Sequence, residues 1–112
     1  MKKLTLALAL LFGMVLVGPS ARAEDTPDTL MPAGLDALYA KGDPVAAAAI
    51  FRKVLAQNPD HYGATYQLAS ALDRSGQRGE ARPLWEKVLK MAEGYKDQAT
   101  ADTARARLAA QP

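Results

Sequence analysis

Two stretches decide the reading: Asp43–Leu55, DPVAAAAIFRKVL, and Gln77–Leu89, QRGEARPLWEKVL, carry one pattern 34 residues apart. Ala47 aligns with Ala81, and Lys53-Val54-Leu55 aligns with Lys87-Val88-Leu89. Ile50 with Leu84 and Phe51 with Trp85 are near equivalents at the same interval. Outside the two stretches, Ala37 and Ala71, Leu38 and Leu72, and Gly42 and Gly76 keep the spacing, so the register is read as holding without a slip. A fixed period of this length, with a glycine between two helical stretches, is the signature of a helix-turn-helix repeat.

Each half has its own physical logic. Asp43 is a good N-cap, and Pro44 suits a first helical position, where its missing N–H has no partner to lose. From there Ala47, Ile50, Phe51, Val54 and Leu55 gather on one face. Asn58-Pro59 ends that helix, because proline drives its predecessor out of the helical region. Asp60 is then expected to cap the next helix, whose stripe is Thr65, Leu68, Ala69 and Leu72 and whose end is Gly76. A further helix over about 78–92 repeats the face with Ala81, Leu84, Trp85, Val88 and Leu89, with Pro83 bending its entry and Gly94 closing it. Residues 95–110, with Ala101, Ala104 and Leu108 as apolar stripe, read as a final capping helix. Residues 24–32 carry Asp25, Thr26, Pro27, Asp28 and Pro32 and read as a flexible lead-in, so the helical domain is expected over 33–112. No stretch alternates with a period of two, and the fold class is all-α.

On these residues the chain resembles the tetratricopeptide repeat family, with repeats at about 28–61 and 62–95. The first repeat supplies Gly42, Ala47, Phe51 and Pro59, and the second supplies Ala69, Gly76, Ala81 and Trp85. The departures are Leu35, where the first repeat should have a small residue, Val54 and Val88 at another small position, and Glu93 in place of the second proline. The interior Gly34 costs about 1 kcal/mol relative to alanine, so the first helix is expected to be short. The resemblance implies antiparallel helix pairs in a right-handed superhelical stack. It also implies a concave groove lined by the first helix of each pair, which places Gly63, Tyr66, Ser70, Asp73 and Arg74 in that groove. Tyr39 is the nearest counterpart of Tyr66 in the first repeat. The Lys and Asn pattern with which some members clamp a terminal carboxylate is absent.

The first residues read differently. Lys2 and Lys3 precede an uncharged apolar run, Leu4–Val17, then Gly18-Pro19-Ser20 and Ala21-Arg22-Ala23. That order is basic, apolar and small-residue, as in a secretory signal cleaved after Ala23. The run is shorter than the ~20 residues of a membrane span, with an uncleaved anchor as the alternative. Removal of 23 of 112 residues leaves 89, one small domain, periplasmic or secreted, with no cysteine to cross-link it or carry a lipid. It also takes Lys2, Lys3 and Arg22 from 14 basic residues, leaving 11 against 12 acidic ones. The basic character therefore belongs to the leader, and a nucleic-acid partner loses its support.

No constellation for chemistry accompanies the repeats. His61 is the only histidine, no cysteine exists to complete a zinc site, and it reads as a solvated turn residue. Gly76 and Gly79 lie in a turn with no preceding strand, so they form no phosphate loop. Asp97 and Asp102 with Lys96, Arg105 and Arg107 read as a solvated helical face. No enzyme activity, cofactor or metal is expected. The function expected is a non-enzymatic protein-binding scaffold of the cell envelope. A homo-oligomeric structural subunit is the alternative, because repeat arrays usually need about three units to bury their faces.

Overall fold

The computed structural model describes residues 25–110, and the signal peptide expected over 1–23 lies outside them. Five helices follow one another. Helix α1 spans Pro27–Leu35 and continues into one π-helical turn, Asp36–Ala40; α2 spans Pro44–Gln57, α3 Tyr62–Arg74, α4 Arg78–Tyr95 and α5 Gln98–Ala110. No strand occurs among the described residues. Each helix packs chiefly on its neighbours in sequence, and the short turns make those neighbours antiparallel.

Local chemistry sets most boundaries. The Asp43 carboxylate accepts the Ala46 N–H at 3.1 Å, Pro44 takes the first helical position, and α2 ends at Asn58 before Pro59. Gly42 and Gly76 adopt φ of +62° and +79°, the left-handed conformation that reverses the chain after α1 and α3. The core joins Ala37, Leu38, Ala47, Phe51, Ala69, Leu72, Ala81, Trp85 and Val88. Phe51 and Trp85 are its largest members, and the alanines let the helices approach closely.

The structure corrects the chain's beginning. Of the lead-in expected over 24–32, residues 27–32 are helical, because α1 begins at Pro27. Thr26 precedes it, its N–H donating to the Thr29 hydroxyl at 3.1 Å, and Leu30 is buried against Val54 and Ala64. Thr and Pro there signal a helix start, and the apolar Leu30 holds it to the core. The register also slips once. In the π turn the Lys41 N–H donates to the Asp36 carbonyl five residues back at 2.9 Å, which accommodates one extra residue. The residues preceding α1 and α3, Thr26 and His61, are accordingly 35 apart, whereas those preceding α2 and α4, Asp43 and Gln77, are 34 apart. Gly34, rather than Leu35, therefore stands at the place of Ala69. A Cβ on Gly34 would lie 2.5 Å from Cε1 and 2.6 Å from Cζ of Phe51. The glycine admits the ring, and α1 with its π turn is not shortened by it.

The second repeat's end is corrected too. Glu93 stands where the first repeat has Pro59, so α4 continues through Gly94 to Tyr95 and stops at Lys96, with φ of +58°. Helix α5 then starts at Gln98 and not at Tyr95.

Candidate partner-binding surface

The surface is built on α1 and α3, with α5 beside them. Tyr39, in the π turn, is 51% exposed. Its hydroxyl donates to Oε1 of Gln67 on α3 at 3.0 Å, and the Arg74 guanidinium carbon lies 4.9 Å from the ring centroid. A cation over a tyrosine face contributes ~0.5–1 kcal/mol at an exposed site, so the three side chains hold one another in place across two helices. Gln67 also borders a cleft lined by Tyr62, Gly63, Tyr66 and Thr100. Gly63 opens its floor: a Cβ there would sit 3.4 Å from both Met31 Cε and His61 Cε1.

The other expected groove residues are placed differently. Tyr66 is half-buried, its ring edge-on to Trp85 with centroids 5.4 Å apart. Ser70 is buried. Asp73 accepts the Trp85 indole N–H at 2.7 Å, so it secures the largest core side chain. Tyr66 and Asp73 thus both engage Trp85 of α4. Of the named residues, Tyr39 and Arg74 are the exposed pair, and Gln67, which joins them, escaped the sequence reading.

Two polar roles also differ from expectation. His61 is not merely a solvated turn residue: its Nδ1 accepts the Ala64 N–H at 3.0 Å and caps α3, while Asp60 instead faces Lys87 Nζ at 3.6 Å. Asp97 is no member of a solvated ion-pair face. Its Oδ1 accepts the Thr100 N–H at 3.2 Å, capping α5, and its Oδ2 accepts the Tyr62 hydroxyl at 2.8 Å, tying α5 to α3. Arg105 does pair with Asp102 at 3.2 Å, and with Glu93 at 2.9 Å.

The Tyr62–Asp97 contact gives the C-terminal end a pH dependence. Hydrogen bonds from the Thr100 side chain, then from the Tyr62 hydroxyl and the Thr100 N–H, lower the Asp97 carboxyl below its ordinary value. Burial, foremost, raises the Tyr62 phenol, as do its hydrogen bond to Asp97 and that residue's charge, against a lowering by Thr100. A lowered carboxylate contributes stability that is present above its unfolded value, about 3.9, and lost as pH falls through the folded one. A raised phenol contributes stability present below about 10 and lost as pH rises through its folded value. In thermal melts below about pH 4, Asp97→Asn is expected to flatten the acid slope of the unfolding temperature. An unchanged slope would remove Asp97 from the account.

Among the described residues no three His, Cys, Asp or Glu side chains group as a metal site, and no helix is long and apolar enough to cross a membrane. A segment of 60 residues, 51% of the chain, is 43% identical to part of cellulose synthase operon protein C of Xanthomonas axonopodis pv. citri (strain 306). The match covers 4% of that relative's length. No solved structure matches the chain. Residues 38–108, which take in the end of the π turn, α2 to α4 and most of α5, match the tetratricopeptide repeat, and the chain belongs to that family.

Proposed function

We propose that the chain is an exported, non-enzymatic interaction module that holds a segment of a cell-envelope protein across α1, α3 and α5. Repeats of its family mediate protein–protein interaction. The observation that carries the specific reading is the Tyr39–Gln67–Arg74 cluster, exposed yet fixed, beside a cleft bordered by two further tyrosines. Tyrosine and arginine are the side chains that most often anchor interfaces, and anchors already held in place lose less freedom on binding. Export rests on the order of residues 1–23, basic, then apolar, then small.

The test is capture of envelope proteins on the immobilised protein. Tyr39→Ala with Gln67→Ala is expected to reduce capture about tenfold, the loss of one interface anchor, while helicity by circular dichroism is kept. Capture undiminished by the double variant would refute the surface. The self-associating alternative has less to draw on. The large apolar residues exposed among those described are Tyr39, Val45 and Tyr95, on three separate elements. Light scattering that shows mass rising with concentration would reverse that preference.

A further inference from the structure

The C-terminal ends of α3 and α5 meet the start of α4 around a second cleft, lined by Asp73, Arg74, Arg78, Arg107 and Ala110. Three arginines and one aspartate thus line it, and the aspartate carboxylate accepts the Trp85 indole N–H. The other arginines near carboxylates are matched, Arg52 to Glu80 at 3.0 Å and Arg105 to Glu93 and Asp102. Arg78 and Arg107 form no ion pair within 4 Å with a carboxylate of the described residues, and Arg74 lies over the face of Tyr39. Residues 25–110 hold 11 basic and 11 acidic side chains, of which the cleft takes three basic and one acidic, so the excess of positive charge lies in the cleft.

Helix dipoles explain only part of it. Arg74 and Arg107 occupy the last turns of α3 and α5, where a cation is favoured. Arg78 opens α4, the end at which a cation is disfavoured, so its place there answers to something else. A guanidinium is a planar fork that takes a carboxylate through two parallel hydrogen bonds, and walls of one sign concentrate the field between them.

We infer that this cleft receives adjacent carboxylate side chains of an acidic segment of the partner protein. The inference rests on the interaction-module reading and adds the partner's chemistry. Asp73 in the wall repels a continuous polyphosphate more than it does carboxylates borne on successive residues, whose separate side chains can lie to either side of it. Outside the cleft, residues 25–110 carry 8 basic and 10 acidic side chains, which offers no basic track for nucleic acid. Arg74 joins the cleft to the Tyr39–Gln67 cluster, so one bound segment can place an acidic stretch here and continue over the tyrosine.

Trp85 is the only tryptophan, and its hydrogen bond to Asp73 puts a reporter directly behind the cleft. The purified protein is titrated with N-acetylated, C-amidated hexaglutamate while Trp85 emission is followed. The expected result is a saturable change whose midpoint rises with salt. In Arg78→Gln with Arg107→Gln, two exposed side chains whose loss leaves the core intact, the midpoint is expected to rise about tenfold through two lost charge-assisted pairs. No response to hexaglutamate, an unchanged midpoint in the double variant, or tighter binding of tripolyphosphate than of hexaglutamate would overturn the assignment. If hexaglutamate fails while the Tyr39 and Gln67 variant still loses its captured proteins, this inference falls and the interaction-module reading stands. If the Tyr39 and Gln67 variant keeps its capture, that reading falls by itself.

Discussion

Trp85→Ala is expected to remove about half of the protein's stability. Trp85 is 1% exposed at the centre of the core, and removing so large a buried side chain costs ~3–5 kcal/mol. A domain of this size holds only about 5–10 kcal/mol in all. The substitution also strips Tyr66 of its edge-to-face partner and Asp73 of the indole donor. Trp85→Phe keeps most of the apolar area and isolates the polar part, for which about 1–2 kcal/mol is expected from the loss of the indole hydrogen bond. Urea unfolding of the two variants separates these contributions. A loss below about 1 kcal/mol for Trp85→Ala would mean that the core closes over the gap.

Gly34→Ala reverses the usual rule for a glycine inside a helix. At an open position alanine stabilises by about 1 kcal/mol, but here the added carbon lands 2.5 Å from a ring that is itself fully buried. Overpacking of this kind costs ~1–3 kcal/mol, so after the propensity gain a net loss of up to about 2 kcal/mol is expected for alanine and a larger one for Gly34→Val. Phe51→Leu should relieve part of the conflict, so that the double variant with Gly34→Ala is more stable than the two single losses sum to. A rise in the urea midpoint for Gly34→Ala alone would show that the Phe51 ring has room to move.

Much of the fold was legible because its signals are local and repeated. Asp43-Pro44, Asn58-Pro59 and the two turn glycines mark boundaries by their own backbone chemistry, and Phe51 and Trp85 share a register. The first helix was not legible, because its evidence sits across the π turn. Once one residue is inserted, Gly34 no longer falls on the position that a strict period of 34 assigns, and Leu35 is mistaken for it. The C-terminal boundary failed for a related reason: without a proline at Glu93, nothing marks where α4 stops, and a left-handed lysine is a rare ending. On the candidate surface, exposure depends on rotation about the helix axis. The sequence placed Ser70 and Asp73 beside Arg74, whereas only the packed structure shows that Ser70 is buried and that Asp73 is bound to the indole of α4. Gln67 and Asp97 act through partners 28 and 35 residues away, and no short motif marks such pairs.

The packing of each helix on its sequence neighbours can also be read as an order in time. Chains dominated by local contacts fold quickly and lose structure from their ends, so amide hydrogen exchange should be slowest in α3 and fastest in α1 and α5. Helix α5 carries Arg107 and leans on the rest through Ala101, Ala104, Leu108 and the Asp97–Tyr62 hydrogen bond. When it peels away, the arginine cleft loses one of its walls. An acidic segment seated there would slow exchange throughout α5, so that occupancy of the cleft and closure of the chain's end become a single equilibrium.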